Sequence, residues 1–289
     1  MRLLLLAVLV ALAGAFRRWH AHACDTQLLI FEHVAKTGGS MLTSLLPRQL
    51  NITACYPKYH GYSISSSLQQ LVENYRCGEC GLAAGEWKYS SIAGSGALNL
   101  TSRVRVFSVV RDPLMWFLSK VGHDLRSAFV ANRYNSVDDA LNQAENRSRA
   151  PHSYGAMIFH NFQSSHLGMD TVPPARIGDD LRHRFMFVGV SEWMGHSLCA
   201  LDFHLQRFDA TRCNCSKLTT KHGNAAPPDQ QTAISVTSAQ SKRAFALLKK
   251  DVVLHAAALR NLVDDLQRIK LERNVDLLSC FSGEDKANG

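Results

Sequence analysis

Apolar residues fall along this chain in two alternating rhythms. Gln27 to Val34 (QLLIFEHV) is a compact apolar run bounded by Asp25 and the Gly38-Gly39 pair, the profile of a buried strand. From Ser40 to Leu50 the apolar positions move to 41, 42, 45 and 46, a helical spacing. Arg103 to Val110 (RVRVFSVV) alternates and then turns continuously apolar, and Arg184 to Val190 (RFMFVGV) repeats that profile, so both are predicted strands. Helices are predicted from Asp112-Pro113 to about Val130, over Ser136 to Asn146, over Ser153 to His166, and from Ser191 to about Phe208. Pro113 suits a first turn, Ser136 an N-cap, and Asp138 and Asp139 the positive end of the third helix's dipole. Ser63 to Tyr75 reads as helical, 76–86 as a Gly- and Cys-rich loop, and 209–236 as a polar loop. One long helical tract closes the chain, Thr237 to about Leu271, with apolar positions at 245, 248, 252, 259, 262 and 266.

Strands that alternate with helices predict an α/β fold with a central parallel sheet flanked by helices. No repeat, low-complexity tract or linker divides the chain, so residues 24–289 are expected to form a single domain. With 46% apolar and 19% charged residues the composition is that of a folded protein.

The first residues add a destination. Arg2 precedes 14 apolar residues, Leu3 to Phe16, and Ala21-His22-Ala23 then reads as a small-x-small cleavage site, which makes 1–23 a signal peptide or signal anchor. Fourteen is short for a spanning helix, which needs roughly 20 residues, so cleavage is favoured over membrane attachment through this segment. Four Asn-x-Ser/Thr sequons, at Asn51, Asn99, Asn146 and Asn214, also fit the secretory pathway. Eight cysteines suit disulfides in an oxidising compartment, although spacing alone sets no pairing. A zinc site from Cys77, Cys80, Cys213 and Cys215 is disfavoured, because structural zinc ligands are usually separated by two to four residues and 213 and 215 by one. The net charge of +8 suits an anionic partner, with a polyanionic glycan among the candidates. No basic run or aromatic-basic motif supports nucleic acid as that partner.

The chemistry concentrates in two segments. In Phe31-Glu-His-Val-Ala-Lys36-Thr37-Gly38-Gly39-Ser40-Met41 a strand meets two glycines and a helix begins at once. Such a turn aims successive N–H groups at one anion, the helix start adds positive potential, Lys36 brings a mobile charge, and Thr37 and Ser40 bring hydroxyl donors. It is not a Walker A loop, since the lysine precedes the glycines. Val106 to Pro113 (VFSVVRDP) then sets Arg111 at the carboxyl edge of a buried strand, where open parallel sheets bind ligands, with Ser119 on the helix that follows. Either segment alone is also a plain surface turn or helix cap. Their ordered occurrence points to one nucleotide with two anionic ends.

HVAKTGGSML followed by VVRDPLMWFLSKV resembles the two donor-binding signatures of Golgi carbohydrate sulfotransferases, in particular the heparan sulfate 2-O- and 6-O- and the uronyl 2-O-sulfotransferases. Asn161 to Gly168 and Phe187 to Trp193 are further echoes. The resemblance implies a P-loop-like sulfotransferase fold and a Golgi lumen or Golgi membrane setting, with secretion left open. It implies 3′-phosphoadenosine 5′-phosphosulfate (PAPS) as donor, a glycan as acceptor and no metal. Carried over by position, Lys36, Thr37, Gly38, Gly39, Ser40 and Met41 would hold the 5′-phosphosulfate, and Arg111 and Ser119 the 3′-phosphate. Lys36 would stabilise charge on the leaving phosphate. The family's histidine base would fall on Ala83 or Glu86, so Glu86 is the candidate base, tuned by partial burial, with His60 and His123 behind it. Two other classes stay open: a kinase-like phosphotransferase, and a non-catalytic relative that binds the nucleotide product or a glycan.

Overall fold

The structure, a computed structural model, describes residues 26–55, 68–72, 75, 78–126, 135–146, 160–218 and 236–280. Helices surround a parallel four-stranded sheet: β1 (Gln27–Glu32), β2 (Leu82–Gly85), β3 (Arg103–Val110) and β4 (Phe187–Val190), in the order β2-β1-β3-β4. The helices are α1 (Gly39–Gln49), α2 (Tyr89–Ser95), α3 (Pro113–Arg126), α4 (Val137–Asn146), α5 (Phe162–His166), α6 (Ile177–Arg184), α7 (Met194–His204), α8 (Cys215–Leu218), α9 (Ser238–Leu247) and α10 (Lys249–Arg273). The described chain divides into two compact units. The first holds 1–33 and 42–107, the second 34–41 and 108–289. The division falls inside β3, which gives residues 103–107 to the first unit and 108–110 to the second.

In the first unit β1 pairs parallel with β2, Leu29 opposite Leu82 and Glu32 opposite Gly85. β2 lies in the stretch read as a loop, because its four residues are too few and too small (LAAG) to register as an apolar run. Leu28, Ile30 and Phe31 are fully buried, and Phe31 stacks on Phe107 at 5.0 Å between ring centroids. A disulfide joins Cys55 to Cys80. Glu32 is also fully buried, and burial drives its pKa well above the carboxylate range, opposed by a bond from the Tyr89 backbone.

In the second unit α10 packs on β4, α6 and α7, while α9 packs on α4 and α3. Trp116, Phe117 and Val121 of α3 meet Ala140, Leu141 and Ala144 of α4 and Ala244, Leu247 and Leu248 in one apolar cluster. Capping follows the sequence closely. Asp112 Oδ1 accepts from Met115 N at 2.9 Å, Ser136 Oγ from Asp139 N at 3.1 Å, and Thr237 and Gln240 form a reciprocal capping box. Ser191 does not cap: its hydroxyl turns to Glu192, and a 3-10 turn separates it from α7.

The long closing helix is two helices, broken at Leu248. The break shifts the buried face, so Phe245 and Val252 are exposed and Ala244, Leu247 and Asp251 are buried. Arg184, expected in a strand, closes α6 instead. Disulfides join Cys199 to Cys213 and Cys215 to Cys280. With Cys80 paired as well, the four-cysteine zinc alternative loses three of its ligands. Among the described residues no helix is long and apolar enough to cross a membrane, and no group of three His, Cys, Asp or Glu is placed to hold a metal. Residues 1–25, Cys77 and His60 lie outside the described residues, as do 153–159 of one predicted helix and 127–130 at the end of another.

Candidate functional site

The second unit contains both halves of the predicted anion site. Between β1 and α1 the chain passes Val34-Ala35-Lys36-Thr37-Gly38 with two left-handed residues, Lys36 at φ 68° and Gly38 at φ 91°. A side chain at Gly38 would be strained there and would bring its Cβ to 3.2 Å from Met194 Cε. The turn is fixed by its carbonyls. That of Val34 accepts from Thr37 N (3.3 Å) and Thr37 Oγ1 (2.7 Å), that of Ala35 from Trp116 Nε1 (2.8 Å), and that of Lys36 from Arg111 Nη1 (3.2 Å). With three successive carbonyls anchored, the turn leads straight into α1, where the amides of Gly39 and Ser40 open the helix and have no intrahelical acceptor. Met41 N bonds Gly38 O at 3.1 Å.

Thr37 is 1% exposed and its hydroxyl donates to Val34 O, so in this structure it shapes the turn. The sequence placed a hydroxyl there correctly but could not show that a carbonyl three residues back would capture it. Lys36 is half-buried.

Arg111 leaves the carboxyl end of β3, where the Gln163 carboxamide grips its peptide. Arg111 N donates to Gln163 Oε1 at 2.8 Å, and Gln163 Nε2 donates to Arg111 O at 2.9 Å. The guanidinium reaches Lys36 O through Nη1, and its Nε lies 3.7 Å from Glu192 Oε1. Of five N–H donors, the Nη2 pair has no partner among the described residues. Glu192 also accepts from Asp112 N at 3.0 Å and lies 3.5 Å from His255 Nε2. Burial pushes the Glu192 pKa up, but the bonds from His255 and the backbone outweigh it and hold the carboxylate below its ordinary value. Ser119, two turns into α3, is half-buried.

Several residues that build this site carry no sequence motif. Asp251, 0% exposed on α10, accepts from Ser164 N and Ser164 Oγ, both at 2.7 Å, and from Gln163 N at 3.2 Å. Burial lifts its pKa to about 6, against those bonds. Asn161, left-handed at φ 47°, returns the favour by accepting from Lys250 N at 2.7 Å, so α5 and α10 cap one another. Trp116 stacks on Phe162 at 5.0 Å, which ties the aromatic next to Gln163 to the indole that holds Ala35. The long hydrophobic tract concealed Asp251. The Asn161 and Gln163 positions were visible only as echoes without a role.

In the first unit Glu86 follows β2 directly. Its side chain is 45% exposed, and its Oε1 lies 3.8 Å from His33 Nδ1. Ala83, the other position for a family histidine, is fully buried in β2, where a larger ring would not fit without repacking. Trp87 is core, at 2% exposure. His123, in the second unit, has Nδ1 3.3 Å from Asp124 Oδ1 and is half exposed. The polar loop with Lys221 and His222 lies outside the described residues. Comparison of the chain with protein-family models and with curated proteins finds no match.

Proposed function

We propose that the protein is a PAPS-dependent carbohydrate sulfotransferase of the secretory pathway, with a P-loop-like sulfotransferase fold. The observation that carries the reading is the bond from Arg111 Nη1 to Lys36 O: the two signature segments, 75 residues apart in sequence, meet in one compact unit. The amides of Gly39 and Ser40, which as the first of α1 have no intrahelical acceptor, and the Nη2 donors of Arg111 belong to the same unit. That arrangement suits a ligand with an anionic group at each end.

In this reading Lys36, Gly38, Gly39, Ser40 and Met41 receive the 5′-phosphosulfate, and Arg111 and Ser119 receive the 3′-phosphate. Thr37 supports the turn. The acceptor hydroxyl oxygen forms a bond to sulfur as the bond from sulfur to the bridging phosphate oxygen breaks. The hydroxyl proton needs a base, for which Glu86 is the candidate carried over from the resemblance, and the charge that develops on the bridging oxygen is met by the Lys36 ammonium. This interaction strengthens as the bond breaks, which is what makes it catalytic. The products are a sulfate ester and 3′,5′-adenosine bisphosphate. A glycan acceptor accords with the sequons and with the three disulfides among the described residues, and the basic charge suits a polyanionic one.

A non-catalytic nucleotide- or glycan-binding role is the second reading, favoured by the exposure of Glu86 and the buried alanine where a histidine would stand. The test is a thermal-shift titration with 3′,5′-adenosine bisphosphate, followed by transfer of radiolabelled sulfate from PAPS to a panel of glycans. Stabilisation with transfer supports the enzyme, and stabilisation without transfer to any acceptor supports the second reading. Absence of stabilisation, with magnesium-dependent use of ATP, would replace both with a kinase-like phosphotransferase.

A further inference from the structure

We propose that Gln163, held by Asp251, is a positioning residue that sets the direction in which Arg111 leaves β3 and so its grip on the donor nucleotide. The inference rests on the reading above, in which Arg111 is a phosphate ligand.

β3 ends at Val110, so the Arg111 peptide lies just past the strand. The Gln163 carboxamide supplies what a neighbouring strand would: one acceptor for the Arg111 N–H and one donor for its C=O. Only this orientation of the amide works, because the flipped one would set donor against donor and acceptor against acceptor. The two bonds hold the peptide groups on either side of the Arg111 Cα, one each, and so fix the direction in which its side chain leaves the backbone. The guanidinium then needs only side-chain torsions to span to Lys36.

Gln163 is itself held from below. It is 0% exposed, its own N–H is bonded to Asp251 Oδ2, and the next residue, Ser164, gives Asp251 Oδ1 two more bonds. The chain of contacts runs Asp251, Gln163, Arg111, Lys36, and every link is a hydrogen bond within one compact unit. No other side chain among the described residues bonds the Arg111 peptide. A residue built this way touches neither donor nor acceptor, yet loosening it lets Arg111 sample orientations that miss a phosphate.

The test is calorimetric titration of the full chain with 3′,5′-adenosine bisphosphate for wild type, Gln163→Met, Arg111→Ala and the double variant, below the unfolding temperature of all four. Gln163→Met keeps side-chain length and removes both bonds. We expect it to weaken binding roughly tenfold or more, to raise the KM for PAPS, and to leave kcat within about threefold at saturating donor. The decisive comparison is the cycle: in the Arg111→Ala background the same substitution should change affinity less than about twofold, because its effect passes through Arg111. A merely structural glutamine would lower the unfolding midpoint and leave that coupling at zero. Should Gln163→Met fail to fold, Gln163→Glu replaces it: the acceptor is kept, the donor lost, and the same coupling is expected. Equal affinity of wild type and the Gln163 variant, or equal losses in both backgrounds, overturns the inference and leaves the sulfotransferase reading standing. Failure of the wild type itself to bind overturns both.

Discussion

The guanidinium of Arg111 donates through Nη1 to the main-chain oxygen of Lys36 at 3.2 Å, so a cation at the end of β3 fastens the turn that follows β1. In the proposed function one arginine would thereby have two tasks, holding the turn and meeting a ligand with the Nη2 donors that remain. Loss of Arg111 is therefore expected to loosen the lysine turn as well as remove a phosphate contact.

Lys36→Ala should lower kcat by about 10²- to 10³-fold, the usual effect of deleting a group that stabilises charge in the transition state. Affinity for 3′,5′-adenosine bisphosphate, which lacks the sulfuryl group, should fall far less. Single-turnover transfer and product-nucleotide titration measure the two separately. Near-wild-type turnover would exclude the assigned role.

If Glu86 is the base of the proposed reaction, Glu86→Gln should abolish most transfer while leaving nucleotide affinity unchanged, since the amide has no basic oxygen. Comparison of His33→Asn with it checks whether the neighbour at 3.8 Å contributes. Full activity of Glu86→Gln would remove it as the base.

Gly38→Ala places a Cβ on a residue at φ 91° and 3.2 Å from the end of Met194. A left-handed non-glycine residue costs about 1–2 kcal/mol, and the flexible methionine tip can give way. The variant should fold with a lower unfolding midpoint and bind the nucleotide weakly, because relief of the strain flattens the turn. Unaltered affinity would show that the turn tolerates a side chain.

Asp251 yields a pH dependence. Its pKa is raised by burial to about 6 in the fold, so over roughly pH 4 to 6 the folded chain binds more protons than the unfolded one. Stability from this group is full below about pH 4 and is lost as pH rises through 6, by about 3 kcal/mol in all. Asp251→Asn, which does not titrate, should therefore gain on the wild type as pH rises from 4 to 7. Chemical denaturation of both across that range measures the difference, and parallel curves would contradict the assigned shift.

Cys280→Ser opens the loop closed with Cys215, 65 residues away in sequence. Loop-closure entropy puts the loss at up to about 4 kcal/mol. Denaturation with the remaining bridges intact is the measurement. A loss under about 1 kcal/mol would mean that contacts near the terminus already restrict the open chain.

What the chain revealed in advance was whatever depends on local pattern. The runs at 27–34 and 103–110 became β1 and β3, and Asp112, Ser136 and Thr237 start helices as their side chains require. The lysine turn and Arg111 were visible because glycines and a strand-end cation leave a local trace. β2 left none, being four small residues whose strand character comes from pairing with β1. Asp251 was hidden for a related reason. The break at Leu248 shifts the face of the last helices, so Asp251 is fully buried and Phe245 and Val252, read as part of the apolar face, are exposed. Thr37 was legible as a hydroxyl in the turn, whereas its bond to the Val34 carbonyl was not, since that depends on the geometry of the turn.

The position of Asp251 so late in the chain bears on expression of shorter versions of the protein. A fragment cut after α7 would carry every residue of both signatures and would still lack the carboxylate that steadies Gln163. Such a piece is expected to be a poor nucleotide trap however well its sheet assembles, and supplying the missing C-terminal helix in trans is the natural way to restore it.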